Sequence, residues 1–140
     1  KIMKNTTAVI FCLIISVCLS CNSSKSVNKI SDLTSKQWNL NALNGKIPDA
    51  NSPDYKNPYI RFTPDNVFSG FTGCNSFTGS YKYESGKLTL DPGAITKIYC
   101  GEGIEIEFLD ALKKVTGFEI RNNNLELLKG SEKIMTFISK

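Results

Sequence analysis

The sequence of 140 residues contains no histidine. Histidine is the usual general base beside a serine or cysteine nucleophile, and it is the commonest metal ligand in proteins. Its absence excludes Ser–His and Cys–His nucleophile pairs, together with zinc and iron sites built on imidazole. The sequence predicts no catalytic residue, no bound metal and no cofactor, and we expect that the protein is not an enzyme.

The sequence also lacks a dense basic segment. It has 17 lysine and arginine residues against 13 acidic ones, a formal net charge of +4. Lys1 and Lys4 lie in a segment that we expect to be removed, which leaves +2 for the remainder, and the longest basic run there is Lys113-Lys114. Nucleic-acid binding depends on a concentrated basic face, so we expect no nucleic-acid partner.

The longest apolar run is short for a membrane span. Residues 8–19 (AVIFCLIISVCL) carry no charge, and as a helix they measure about 18 Å. The hydrocarbon core of a bilayer is about 30 Å thick. The run follows Lys1 and Lys4 and is followed by the small residue Ser20. A basic start, a short apolar stretch and small residues after it are typical of a signal peptide.

The end of this segment, Cys18-Leu19-Ser20-Cys21, resembles the lipobox of bacterial lipoproteins, in which a cysteine is lipidated and becomes the new N-terminus. The resemblance predicts a signal peptide over residues 1–20, lipidation of Cys21, a lipidated and flexible tether over residues 21–35, and a domain over residues 36–140. We expect a periplasm-facing protein of the cell envelope, anchored at the outer membrane. Two alternatives remain: an ordinary signal peptide cleaved nearby, or an uncleaved single-span anchor.

Five cysteines are present, and their positions divide them. Cys12 and Cys18 fall in the expected signal peptide and Cys21 takes the lipid, which leaves Cys74 and Cys100. Two remaining cysteines in a small domain of an oxidising compartment predict a disulfide. A bridge across a loop of this length contributes about 3.5 kcal/mol to stability. The alternative is a pair of buried free thiols.

Alternation of apolar and polar residues predicts strands along most of the domain. They are expected near residues 38–40, 59–62, 67–70, 77–83, 87–90, 94–98, 118–120, 125–127 and 134–137. From Gly103 to Val115 apolar residues recur every three or four positions, which predicts one helix. The fold class is therefore α+β: a small antiparallel sheet, curled or barrel-like, built from about seven to eight of these nine short segments and packed with one α-helix.

Several short motifs together resemble the META domain family, also called HslJ-like. The resemblance covers about residues 36–138 and rests on Trp38-Asn39-Leu40, Asn44-Gly45, Val67-Phe68-Ser69-Gly70, Gly73-Cys74-Asn75 with Phe77, Gly79 and Tyr81, Thr96 before Cys100, and Glu107-Phe108-Leu109. Ile98-Tyr99 stands where the family commonly has Met-Ala, and is interpreted as a core-sized substitution. The family is associated with heat-shock and envelope responses, and the resemblance implies no catalytic residues.

Two groups of residues invite a chemical interpretation. Gly73-Cys74-Asn75 places a thiol beside an amide, but a reactive thiolate needs a neighbouring cation or a helix N-terminus. We interpret the motif as structural. Glu102, Glu105 and Glu107 could suggest a metal or acid–base site, yet residues two apart on a helix diverge, so we interpret them as solvated charges.

One candidate binding surface remains. Tyr55, Tyr59 and Phe71 fall near predicted loops and could line an exposed apolar patch. The sequence favours a lipid-anchored envelope protein that binds another envelope protein or stabilises an envelope assembly under stress. One alternative is a carrier of a small hydrophobic ligand or lipid, which requires a cavity. Another is a peptidase inhibitor, which would need a rigid protruding loop around residues 44–58.

Overall fold

The computed structural model describes residues 23–49, 56–101 and 103–140, with side chains from Lys29 onward. One helix is followed by five strands, a second helix and three further strands. In chain order they are α1 (Ser23–Thr34), β1 (Gln37–Leu43), β2 (Tyr59–Phe62), β3 (Val67–Phe71), β4 (Ser76–Glu84), β5 (Lys87–Ile95), α2 (Glu105–Lys113), β6 (Gly117–Arg121), β7 (Asn124–Lys129) and β8 (Glu132–Ser139).

The eight strands form one antiparallel sheet in the order β5-β4-β3-β2-β1-β8-β7-β6. The sheet is open but strongly curled, so that its two edges approach each other. The amide of Leu88 donates to the carbonyl of Thr116 across 3.1 Å, and the rings of Tyr83 and Phe118 lie 5.4 Å apart. The predicted class, a β-rich antiparallel α+β domain, is confirmed, and the sheet is not closed into a barrel.

The concave face of the sheet is filled by large side chains. In β1, Trp38 and Leu40 are buried while Gln37 and Asn39 lie on the outer face, as the two-residue period requires. A bulge between Leu40 and Ala42 shifts this period by one residue. The largest fully buried side chains are Trp38, Phe62, Phe68, Phe108, Phe137, Leu33, Ile60, Leu88, Leu112, Leu125, Leu127 and Met135.

The two helices lie at opposite ends of β1. At the α1 end, where β1 begins, Leu33 is buried and the indole Nε1 of Trp38 donates to the Leu33 carbonyl across 2.9 Å. At the α2 end, where β1 finishes, the ring of Phe108 lies 6.3 Å from that of Phe77 and 6.4 Å from that of Phe137. The core is therefore enclosed by one sheet and two helices.

The second helix is a correction to the sequence analysis, which predicts one. Helix α1 lies within residues 21–35, the segment assigned to a tether. Its polar composition gives little intrinsic helix preference, but Ile30 and Leu33, three residues apart, both pack against the core. Tertiary packing of this apolar pair, which outweighs weak local propensity, is what the sequence pattern misses.

The strand predicted at residues 94–98 is also corrected. Strand β5 runs without interruption to Ile95, and residues 96–98 are not in a strand. The predicted strands are divided at Pro92, because proline cannot donate a hydrogen bond to a neighbouring strand. The structure tolerates Pro92 because β5 is an edge of the sheet.

Candidate functional site

The loop between β3 and β4 is a tight turn with two buried polar side chains. Thr72 and Asn75 are only 1% and 2% exposed. The backbone amide of Thr72 donates to the backbone carbonyl of Asn75 across 2.9 Å. The backbone amide of Asn75 donates to the Thr72 hydroxyl, also across 2.9 Å. Gly73 makes the turn possible because its φ is +101°, a conformation that residues with a Cβ rarely adopt.

The side chain of Asn75 links this turn to the segment that follows β5. Its Oδ1 accepts from the backbone amide of Ile98 across 2.7 Å and from the hydroxyl of Thr96 across 2.8 Å. Its Nδ2 donates to the carbonyl of Ile98 across 3.0 Å and to Oε1 of Glu105 across 3.2 Å. Both ends of the amide are therefore satisfied, as burial demands.

Glu105 connects the same turn to the first residue of α2. Its Oε2 accepts from the Thr72 hydroxyl across 2.5 Å, while Oε1 accepts from Asn75. This half-buried carboxylate is not the solvated charge that the sequence suggested. Glu107 is exposed and accepts from the Asn44 amide across 2.7 Å, and Glu102 lies outside the described residues.

A disulfide closes the site. The structure joins Cys74 to Cys100, whose Cα atoms lie 5.9 Å apart. A sulfur in a disulfide carries no thiolate, so Cys74 offers no nucleophile in this state. Together, the bridge and the Asn75 hydrogen bonds hold three segments in one place: the β3–β4 turn, the segment 96–100 and the start of α2.

These segments display large apolar side chains to solvent. Ile98 is 63% exposed and Tyr99 is 93% exposed, beside Asn75 and the disulfide. On the first turn of α2 Ile106 is 77% exposed, and Ile47 beyond β1 is 77% exposed. We refer to Ile47, Ile98, Tyr99 and Ile106 as the apolar end, because all four belong to segments at the α2 end of the sheet.

The apolar end was missed by the sequence analysis. The interpretation of Ile98-Tyr99 as core-sized residues is corrected: both side chains are exposed, and Asn75 holds the backbone of Ile98 but not its side chain. The exposure of Ile106 could have been predicted from its position on the helix. It falls outside the stripe of apolar residues that faces the core from α2, among them Phe108 and Leu112, and so lies on the charged face.

Two residues of the predicted binding surface come together elsewhere. Tyr59 and Phe71 are cross-strand neighbours on the outer face, half-buried, with ring centroids 6.2 Å apart. Tyr59 borders an open groove of about 610 Å³ whose other lining residues are mostly polar. Tyr55 lies outside the described residues, as does Cys21.

Metal binding, membrane spanning and shifted pKa values are three further properties of the described residues that bear on function. Within the described ranges, no three carboxylate or cysteine side chains are grouped so as to hold a metal ion. No helix in the described part of the chain has the length and apolarity to cross a membrane. Burial first, and then the charge of Asp65, raise the pKa of Tyr81, whose hydroxyl donates to the Thr63 carbonyl across 2.8 Å at the α1 end.

Comparison with known proteins identifies the fold. A family model described as META domain matches residues 31–140. A protein from Burkholderia xenovorans, solved by NMR, is 23% identical with a TM-score of 0.58, over 89% of this chain and 94% of that one. Another NMR structure is 23% identical with a TM-score of 0.58, over 77% and 92%.

A third solved structure, a crystal structure of a DUF4847 family protein from Bacteroides vulgatus, is 16% identical with a TM-score of 0.56. The alignment covers 78% of this chain and 96% of that one. At these identities the similarity shows a shared fold alone. No curated protein is significantly similar in sequence.

We predict that Asn75→Asp destabilises the domain by about 2–4 kcal/mol, because the new carboxylate loses the donor and faces both Glu105 and the Ile98 carbonyl. Urea denaturation of the purified domain measures the change. Asn124→Asp introduces the same charge at an exposed position and should change the free energy of unfolding by less than about 0.5 kcal/mol. Equal effects of the two substitutions would contradict the role given to Asn75.

Proposed function

The chain belongs to the META domain family, and from that premise we propose that it is a lipid-anchored, HslJ-like protein of the bacterial cell envelope that binds another protein without catalysing a reaction. One observation carries the proposal: four large apolar side chains are exposed at the same end of the domain. Exposed apolar clusters on soluble domains commonly mark sites of protein association.

The construction of the apolar end supports a binding role. Tyr99 and Ile98 lie on a segment fixed by a disulfide and by two hydrogen bonds between the backbone of Ile98 and the side chain of Asn75, one donated by each. A surface that is already rigid loses little conformational entropy when a partner binds. Tyrosine and isoleucine also offer large apolar area, and tyrosine is enriched at the centres of protein interfaces.

A catalytic role has less support. Cys74, the most reactive residue type in the distinctive motif, is tied to Cys100. Asn75 uses both ends of its amide within the protein, and Glu105 uses both of its carboxylate oxygens. Side chains engaged in this way hold the β3–β4 turn against the segment after β5 and the start of α2.

The position of α1 in the chain supports an anchor that leaves the apolar end accessible. The lipobox-like Cys18-Leu19-Ser20-Cys21 supports lipidation of Cys21, which we place at the outer membrane, facing the periplasm. Helix α1 leads into β1 at Gln37, whereas the apolar end lies beyond Leu43, where β1 finishes. A tether attached through α1 therefore joins the end of β1 opposite to the apolar end, which leaves the apolar end accessible to a partner in the envelope.

The alternative of a hydrophobic-ligand carrier is weakened by the filled interior. The space inside the curled sheet is occupied by Trp38, Phe62, Phe68 and other fully buried side chains. Two grooves of the described surface, of about 610 Å³ and 370 Å³, are open and partly polar. The loop that a peptidase inhibitor would use contains residues 50–55, which lie outside the described residues.

For the anchor, we predict that Cys21→Ser releases the protein from membranes, because acylation requires the thiol. Membranes washed with carbonate and probed for the protein give the measurement. Cys12→Ser, a matched change inside the signal segment, should leave the protein bound. If Cys21→Ser stayed in the membrane fraction, the apolar segment and not a lipid would be the anchor.

For the apolar end, we predict that a photo-crosslinking amino acid at position 99 forms a discrete adduct with one envelope protein in living cells. Ile106→Ser should reduce the yield of this adduct several-fold, because it removes a neighbouring apolar contact. Thr89→Ser, which removes a methyl group from the exposed side of edge strand β5, is the control and should leave the yield unchanged. Absence of any adduct, or equal loss in both variants, would argue against this surface.

A further inference from the structure

The outer face of the sheet carries a row of residues that crosses four neighbouring strands. Asn39 of β1 is paired with Tyr59 of β2 on one side and with Ile138 of β8 on the other. Tyr59 is in turn paired with Phe71 of β3, and their rings are stacked with centroids 6.2 Å apart. An amide thus lies between an aromatic pair and an exposed aliphatic side chain.

Two further amides extend this row along β1. Gln37 and Asn41 lie two residues on either side of Asn39, about 7 Å away at the usual rise of a strand. The bulge in β1 falls at Asn41 and keeps its side chain on the outer face, although Leu43 returns to the core. All three amides line the open groove of about 610 Å³.

Hydrogen bonds among neighbouring side chains fix the direction in which these amides point. Arg61 Nη2 donates to Gln37 Oε1 across 2.8 Å, and Gln37 Nε2 donates to Asn39 Oδ1 across 3.1 Å. Asn41 Nδ2 donates to the Thr136 hydroxyl across 3.3 Å. Within the described part of the chain, the Asn39 Nδ2 donor and the Asn41 Oδ1 acceptor are left to face the groove.

This chemistry matches a sugar chain. A sugar ring has an apolar face of C–H groups that packs on a flat aromatic ring, and its edge carries hydroxyls that both donate and accept hydrogen bonds. Tyr59 supplies the ring, and Asn39 and Asn41 supply a donor and an acceptor. The groove lies within the usual range of ligand-site volumes, about 300–1,000 Å³.

The charge of the groove limits the ligand class. No carboxylate side chain is among the described residues that line it, and its one lining cation is Lys140. Lys140 lies at the Gln37 end, where its backbone amide donates to the Gln37 carbonyl across 3.1 Å, and the charge of nearby Arg61 is also directed at Gln37. An anionic ligand would require a free cation at its centre, and a wholly apolar ligand would leave the amides without partners. We propose that this groove, formed by Gln37, Asn39, Asn41, Tyr59 and Ile138, binds a neutral glycan.

This glycan site is separate from the apolar end. It lies on the outer face of β1, β2 and β8, whereas Tyr99 and Ile106 lie at the α2 end. The inference therefore does not depend on the proposed protein partner, and either proposal can fail while the other holds.

The test is a titration of the ¹⁵N-labelled mature protein with the trisaccharide of N-acetylglucosamine, followed by NMR. We expect the side-chain amide signals of Gln37, Asn39 and Asn41 to shift saturably, while signals of Ile98 and Tyr99 stay in place. Asn39→Ala and Tyr59→Leu should each weaken the affinity about tenfold, through loss of a hydrogen bond and of the ring respectively. Thr89→Ala, on the exposed side of edge strand β5, is the matched control and should leave the affinity unchanged.

A parallel titration with maltotriose, a neutral glycan without acetamido groups, separates two forms of the ligand. Saturable shifts at the same amides with both sugars support a general neutral-glycan site, and shifts with the first alone support one that reads the acetamido group. The inference is overturned if neither sugar at millimolar concentration shifts these amides. It is also overturned if Asn39→Ala and Tyr59→Leu, both shown to be folded by wild-type spectra elsewhere, bind the sugars with unchanged shifts.

Discussion

Burial of the Asn75 amide is the constraint on which the architecture of the α2 end depends. A primary amide that is 2% exposed must find partners inside the protein for its donors and its acceptor. It finds them on Thr96 and Ile98 after β5 and on Glu105 at the start of α2. Segments far apart in the chain are thereby required to meet at one turn.

The rest of the α2 end follows from this meeting. The contact of Glu105 with Thr72 fixes where α2 begins, and α2 then places Phe108 between the rings of Phe77 and Phe137. The disulfide adds a covalent link at the same place. The backbone of Ile98 is bound to Asn75 while its side chain is exposed, and Tyr99 beside it is 93% exposed. The buried polar network therefore holds the backbone of the segment that presents the exposed apolar side chains.

Much of the sheet could be predicted from the sequence, because alternation in strands such as β1 and β4 directly reflects which side chains face the core. Local patterns do not report distant partners, however. The burial of Leu33 in α1, the role of Glu105 and the exposure of Ile98 all depend on contacts with residues far along the chain or on backbone hydrogen bonds. The amides of β1 appeared only as the polar half of an alternating pattern. Only the strand register shows that Asn39 lies beside Tyr59 and Ile138, and that the amides therefore share a surface with an aromatic ring.

Hydrogen exchange at the Ile98 amide tests the central role of Asn75 most directly. This amide is outside any strand, next to exposed side chains, and its bond to the Asn75 Oδ1 measures 2.7 Å. Our account predicts slow exchange in the wild-type protein and fast exchange in Asn75→Ala, while the amide of Phe137 in the core strand β8 stays protected in both. Fast exchange at Ile98 in the wild type, or protection that survives Asn75→Ala, would contradict it.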